Sequence, residues 1–261
     1  MNTAAPPPAA GARAVHFDYL LQLADTSLVL GQRLGEIVGH APALEEELGL
    51  ANVALDLIGQ ARLLLTHAGE LEGRGRDEDQ LAFLRTQDEF RNLALAEQPN
   101  GDFARTIVRQ VLIDAWQLEL YERLQHSVDA RLGAIAAKSL KETGYHLRYS
   151  AHWLVRIGDG TAESHDRARQ ALDQLWPYTH ELFDEQDADR ELARLGIAPS
   201  PAEIEPAWSA RVEAVLREAT LERPANTPYR WHGRRGVHSE HLGYLLAEMQ
   251  YLQRAHPGAQ W

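Results

Sequence analysis

The chain has 261 residues, 44 % of them hydrophobic, and carries a formal net charge of −12. That length and apolar share suffice for one large domain, and the acidic balance argues against gripping a phosphate backbone. The absence of cysteine excludes disulfides, thiolate metal sites, iron–sulfur clusters and a cysteine nucleophile, and it fits a cytoplasmic protein.

Residues 1–15 are rich in Ala and Pro and lack the basic and apolar regions of a secretory signal, so they read as a disordered tail. From there Leu, Ala, Glu, Arg and Gln dominate, with no period-two alternation, which predicts an all-α protein. A first helix is expected over 17–38, ending in Gly39-His40-Ala41-Pro42. A second, over 43–70, carries Leu44, Leu48, Ala51, Leu55 and Ile58 at alternating steps of four and three, which reads as its buried stripe. Further helices are expected over 79–97, 103–126, 130–157, 163–186, 201–220 and 238–255. No run of eighteen or more apolar residues occurs, so no membrane-crossing helix is expected. Residues 16–261 read as one helical domain.

Long antiparallel helix pairs suggest a ferritin-like four-helix bundle with additional C-terminal helices. The di-metal recipe of such bundles takes one Glu from each of two helices and a Glu with a His three residues later from each of the other two. Counting outward from the turns makes Asp25 level with Asp56 and Asp114 level with Glu142. Asp25 and Asp114 interrupt apolar stripes, where a carboxylate is costly unless something neutralises it. The histidines of the recipe are missing. Gly59 lies three residues after Asp56 and Tyr145 three after Glu142, while His146 sits one position further on, rotated by about 100°. An oxygen-activating di-iron centre is therefore not expected. Lys138, one turn before Glu142, is a candidate for neutralising it.

Gly31, Gly35 and Gly39 recur at spacing four and read as an internal groove or a subunit seam. His238, Glu240 and His241 open the last helix, where capping or charge pairing is the expected role. Arg230, Arg234 and Arg235, with Trp231 and His232, form a basic and aromatic loop suited to a phosphate or an acidic partner surface. No Walker or Rossmann phosphate loop and no nucleophile elbow occurs.

Four stretches together resemble the C subunits of bacterial phenylacetyl-CoA epoxidases. They are RLGEIVGHAPALEEELGLANVALDLIGQAR around Asp56, AEQPNGDFARTIVRQVLIDAW around Asp114, AAKSLKETGYHLRYSAHWL around Glu142 and the C-terminal SEHLGYLLAEMQYLQRAHPGAQW. The resemblance runs from about residue 17 to the end. It implies a ferritin-like fold and a structural, non-catalytic subunit with no metal of its own. The implied partner is a homologous A subunit that carries the di-iron site. The implied reaction is O₂- and NADPH-dependent 1,2-epoxidation of phenylacetyl-CoA in aerobic phenylacetate degradation, with NADPH, flavin and iron–sulfur groups in a separate reductase. A hetero-oligomer follows, with self-association and contacts to the other epoxidase components also expected, and with neither nucleic acid nor membrane as partner. Two rival readings remain: a stand-alone oxidase with a carboxylate-only metal site, and a module that binds coenzyme A through Arg230, Arg234 and Arg235.

Overall fold

Two long helical hairpins frame the protein, seen in a computed structural model that describes residues 10–259. The first pairs α1 (Ala10–Gly35) with α2 (Leu44–Glu72). A short α3 (Glu78–Phe83) leads to the second, which pairs α4 (Phe103–Leu124) with α5 (Ala130–Gly158). The hairpins join where α2 meets α5, and α4 reaches α1 through Gln117, whose Nε2 lies 3.4 Å from Ser27 Oγ. No strand occurs among the described residues, apart from a single bridge between His232 and Val237.

Local chemistry sets the ends of these helices. Asp102 caps α4 by accepting the Arg105 amide, and Asp129 caps α5 by accepting the amides of Arg131 and Leu132. Glu45, Glu46 and Glu47 place negative charge at the N-terminus of α2, where the helix dipole favours it. Gly73 closes α2 in the left-handed region, at φ 72°.

The start of α1 corrects the expected tail. The helix begins at Ala10, two residues beyond the last proline, so residues 10–15 are helical rather than disordered. Arg13 donates to the Leu71 carbonyl and Val15 packs on the core, so this first turn is tied to α2. Residues 1–9 of the expected tail lie outside the described residues.

The stripe expected to be buried on α2 faces outward. Leu44, Leu48 and Leu55 are 67 %, 59 % and 66 % exposed, Ile58 is at the margin and Ala51 is half-buried. Leu50, Val53, Leu57, Ala61 and Leu64 are buried instead. This helix is apolar on two faces, so a helical period fits both stripes and cannot choose between them.

Two other expected helices are broken. Over 79–97 the helix stops at Phe83, a 3₁₀ turn spans Gln87–Glu89, and residues 92–98 run buried without regular structure. Buried backbone needs partners, and here side chains supply them. Asp25 accepts the Arg91 amide at 2.8 Å, Thr26 the Leu93 amide at 3.2 Å and Glu181 the Ala94 amide at 2.8 Å. Arg33 donates to the Glu97 carbonyl at 2.8 Å. Over 163–186, α6 (Ala162–Leu175) gives way to a 3₁₀ stretch, Trp176–Leu182, because Pro177 has no amide hydrogen for the next helical bond. An unpredicted α7 (Asp187–Arg194) follows, then α8 (Pro201–Glu218) as expected. The last predicted helix divides into α9 (Glu240–Met249) and α10 (Tyr251–Ala255). Helices α6 and α8 cover α4, while α7 and α9 lie against α1.

Gly31 marks close packing inside the chain. A Cβ there would come within 3.1 Å of the Ile58 side chain and 3.2 Å of the Ala54 carbonyl. Gly35 and Gly39 have nothing within 4 Å, so the internal groove is confined to Gly31.

Candidate functional site

Each of the four carboxylates that the spacing points to is engaged by its own partners. Asp25, fully buried on α1, pairs with Arg85 in the loop after α3. Arg85 Nη1 donates to Oδ2 at 2.9 Å and Nη2 makes a second, closer bond to Oδ1, while the Arg91 amide also donates to Oδ2. The guanidinium lies 4.4 Å from the centre of the Phe90 ring. Three donors therefore satisfy this acid without a metal.

Asp114, fully buried on α4, is held by Gln110 Nε2 at 2.9 Å and Ser150 Oγ at 2.8 Å. Burial among groups of no net charge pushes its carboxyl up to about 8, against the pull of the Ser150 and Gln110 bonds. Its contact on α5 lies eight residues beyond Glu142, the position drawn level with it by counting. The α4–α5 register itself lies beyond the counted one, with Gly144 opposite Leu118, and side chains leaning toward their own helix N-terminus add to the offset.

Asp56 and Glu142 stand at the α2–α5 seam rather than inside the bundle. Asp56 keeps 41 % of its side chain exposed and meets His146 Nε2 at 3.1 Å. Glu142 accepts Gln60 Nε2 at 3.0 Å and pairs with Lys138, as the one-turn spacing predicts. Tyr145 is 47 % exposed and Gly59 half-buried, so neither lies at the bundle centre.

Apart from Asp114, which shares the α4 stripe of Gln117 and Tyr121, the positions that face the centre are shifted from those chosen by counting. Ser27 of α1, Gln60 of α2, Gln117 and Tyr121 of α4, and Thr143 and His146 of α5 are all buried. Tyr121 OH donates to Gln60 Oε1 at 3.3 Å, and burial pushes its hydroxyl up to about 12. Thr143 and His146 have the three-residue spacing of the di-metal recipe, with threonine where the glutamate belongs. Burial pulls the His146 imidazole below its usual range, opposed by the Asp56 bond. The missed signal lay in the period of the buried residues: Leu50, Val53, Leu57 and Leu64 carry Gln60 on the same stripe, and that stripe excludes Asp56 and Gly59.

A di-iron centre does not fit this donor set. The central positions offer one carboxylate, one imidazole, two amides, a phenol and two hydroxyls, whereas the recipe needs four carboxylates and two imidazoles. The four nearby acids are spent on Arg85, on Gln110 and Ser150, on His146, and on Gln60 and Lys138.

The basic loop is only partly available. Arg234 is buried, with Nε donating to Gln22 at 3.1 Å, Nη1 to the Asp184 carbonyl at 3.1 Å and Nη2 to Asp189. It is therefore a structural cation that joins α1 to α7, not a phosphate contact. Arg230 and Arg235 remain exposed, the latter 3.6 Å from Asp184. His238, expected to cap the last helix or to pair with a charge, takes the second role with a buried side chain. Its Nδ1 lies 2.9 Å from Glu97 Oε2 and its Nε2 3.0 Å from the Phe90 carbonyl.

Comparisons with known proteins agree with this architecture. A family model described as "Phenylacetic acid catabolic protein" matches residues 1–261. The C subunit of the 1,2-phenylacetyl-CoA epoxidase of Escherichia coli (strain K12) is 54 % identical over 243 residues, covering 93 % of this chain and 98 % of that protein. Among solved structures, a protein with aldehyde deformylating oxidase activity from Synechococcus superposes with a TM-score of 0.62 at 15 % identity. That match covers 87 % of this chain and 96 % of the other, and shows that the two share the ferritin-like fold.

Proposed function

The chain belongs to the phenylacetic acid catabolic protein family, and from that premise we propose that it is the structural, non-catalytic subunit of a phenylacetyl-CoA epoxidase. On this reading it is a soluble, cytoplasmic protein that binds a homologous di-iron subunit and keeps that subunit's bundle in its active form. It holds no di-iron centre of its own, and the redox groups belong to the partner and to a separate reductase. The E. coli relative's name supports the assignment to the epoxidase. The central residues, with carboxylate positions taken by Ser, Gln and Thr, support the absence of chemistry in this bundle. A rigid partner matters because a metal site's geometry depends on its supporting shell.

The observation that carries the partner role is the outward stripe of α2. Leu44, Leu48, Leu55 and Ile58 face solvent in a row on a helix whose composition is apolar enough to match a membrane span. Exposed apolar rows of this kind mark interaction surfaces. Acidic residues elsewhere on α2 and its packing in the bundle suit a protein partner better than lipid. The carboxylate-only oxidase reading is weakened by the dispersal of Asp25, Asp56, Asp114 and Glu142, and the coenzyme A reading by the burial of Arg234.

Introducing Leu48→Glu and Leu55→Glu together tests the proposal. Both side chains are exposed, so stability should change by less than about 1 kcal/mol, while co-purification with the di-iron subunit and epoxidation by the mixture should fall at least tenfold. Undiminished assembly and turnover would remove this stripe as the docking surface. Turnover by the isolated chain would sink the non-catalytic reading itself.

A further inference from the structure

Away from the bundle centre, one cluster at the end of the bundle brings together donors of three distant segments. His16 comes from the start of α1, His67 from α2 and Asp129 from the N-cap of α5. One donor atom from each lies within 4.8 Å of the other two. We propose that His16 Nε2, His67 Nε2 and Asp129 Oδ2 bind a single divalent transition-metal ion of the zinc class, which clips α1, α2 and α5 together.

The distances suit such an ion. Metal–ligand bonds of about 2.0–2.2 Å in tetrahedral geometry place ligand atoms about 3.3–3.6 Å apart. His16 Nε2 lies 3.2 Å and His67 Nε2 2.7 Å from Asp129 Oδ2, so small side-chain adjustments open the triangle. Two imidazoles and one carboxylate also match the ligand preference of zinc and its neighbours.

The surroundings are built for ligation. Asp129 Oδ1 accepts the Arg131 amide at 2.9 Å and the Leu132 amide at 3.1 Å, which fixes the carboxylate and leaves Oδ2 for the two imidazoles. Backbone partners of this kind orient metal ligands. Both histidines are buried, at 6 % and 9 % exposure, with their rings edge to face. His67 makes a hydrogen bond to Oδ2, but His16 Nε2 is buried beside the same oxygen without hydrogen-bond geometry. A buried nitrogen left in that state is costly, and a cation between the three donors satisfies it.

This site is independent of the structural-subunit reading, since it shares no residue with the bundle centre or with the outer stripe of α2. It is tested on the untagged full chain, freed of metal by chelator and titrated with Zn²⁺ by calorimetry and with Co²⁺ by visible absorption. The expected result is one ion per chain, a Co²⁺ spectrum with nitrogen and oxygen ligands, and a rise in Tm of roughly 5–10 °C at a hundredfold excess over Kd. His16→Gln and His67→Gln should each weaken binding at least tenfold. Asp129→Asn keeps the helix cap and should also weaken binding tenfold or more, which separates ligation from any loss of folding. Binding weaker than about 0.1 mM, or one-to-one binding unchanged in the His16→Gln/His67→Gln double variant, would overturn the assignment.

Discussion

Replacing Arg85 with methionine is expected to destabilise the protein by about 3–5 kcal/mol, because it strands the Asp25 carboxylate in the core without its cation. Asp25 is fully buried and Arg85 is 2 % exposed, so water cannot take over the lost bonds. The same arginine donates to the Glu89 carbonyl at 3.0 Å and so fixes the loop whose amides cap the buried acids. In a protein of this size each kcal/mol shifts the midpoint by roughly 2–4 °C. The Tm should therefore fall by roughly 6–20 °C, measured by calorimetry. Adding Asp25→Leu to Arg85→Met should recover part of the loss, since an apolar pair avoids burying charge. Recovery is incomplete because the Arg91 amide loses its acceptor. A double-mutant cycle with no coupling between the two positions would show that the pair does not act as a unit.

The second large effect is expected at Asp114, where stability should depend on pH in a way that Asp114→Asn removes. The folded-state carboxyl titrates near 8, against about 4 in the unfolded chain, because burial disfavours its charge. The folded protein thus holds a proton that the unfolded chain releases. This group's stabilising contribution is full below about pH 4 and declines as pH rises through about 8, where the folded carboxyl must ionise. At 1.36 kcal/mol for each pH unit the decline reaches roughly 3–6 kcal/mol. Asn has the shape of the protonated acid and can accept the Ser150 hydrogen bond. Opposite the Gln110 amide, it can also donate once that amide is turned over. Asp114→Asn should match the parent at about pH 4 and below and exceed its stability by about pH 9. Urea melts of both proteins across that range provide the measurement. Parallel pH profiles would show that Asp114 is charged in the core at neutral pH.

Neither effect follows from composition alone, although much of the architecture does. The all-helical class, the two hairpins and the limits of α2, α4 and α5 are local properties. They follow from apolar period, from Asp102 and Asp129 as caps, and from the Gly and Pro breaks between helices. The pairing of Lys138 with Glu142 was legible as well, being a matter of spacing on one helix, whereas Gly59 and Tyr145 lie off the bundle centre and did not mark the metal-ligand positions.

Tertiary structure alone decided which face of α2 is buried, because Leu48 and Leu57 lie on two equally apolar stripes and only the neighbouring helices select one. It also decided the register between antiparallel helices, where Asp114 meets Ser150 rather than Glu142. The buried irregular run through Leu93 and Ala94 looks helical by composition, yet its amides bond to Thr26 and Glu181, residues far away in sequence. Likewise, Arg234 looks like a free surface cation until Asp189 and Gln22 close around it. His16, His67 and Asp129 carry no shared spacing at all. Periodicity and capping act within a few residues and are written in the chain, whereas burial, register and long-range hydrogen bonds are set by which surfaces exclude water together.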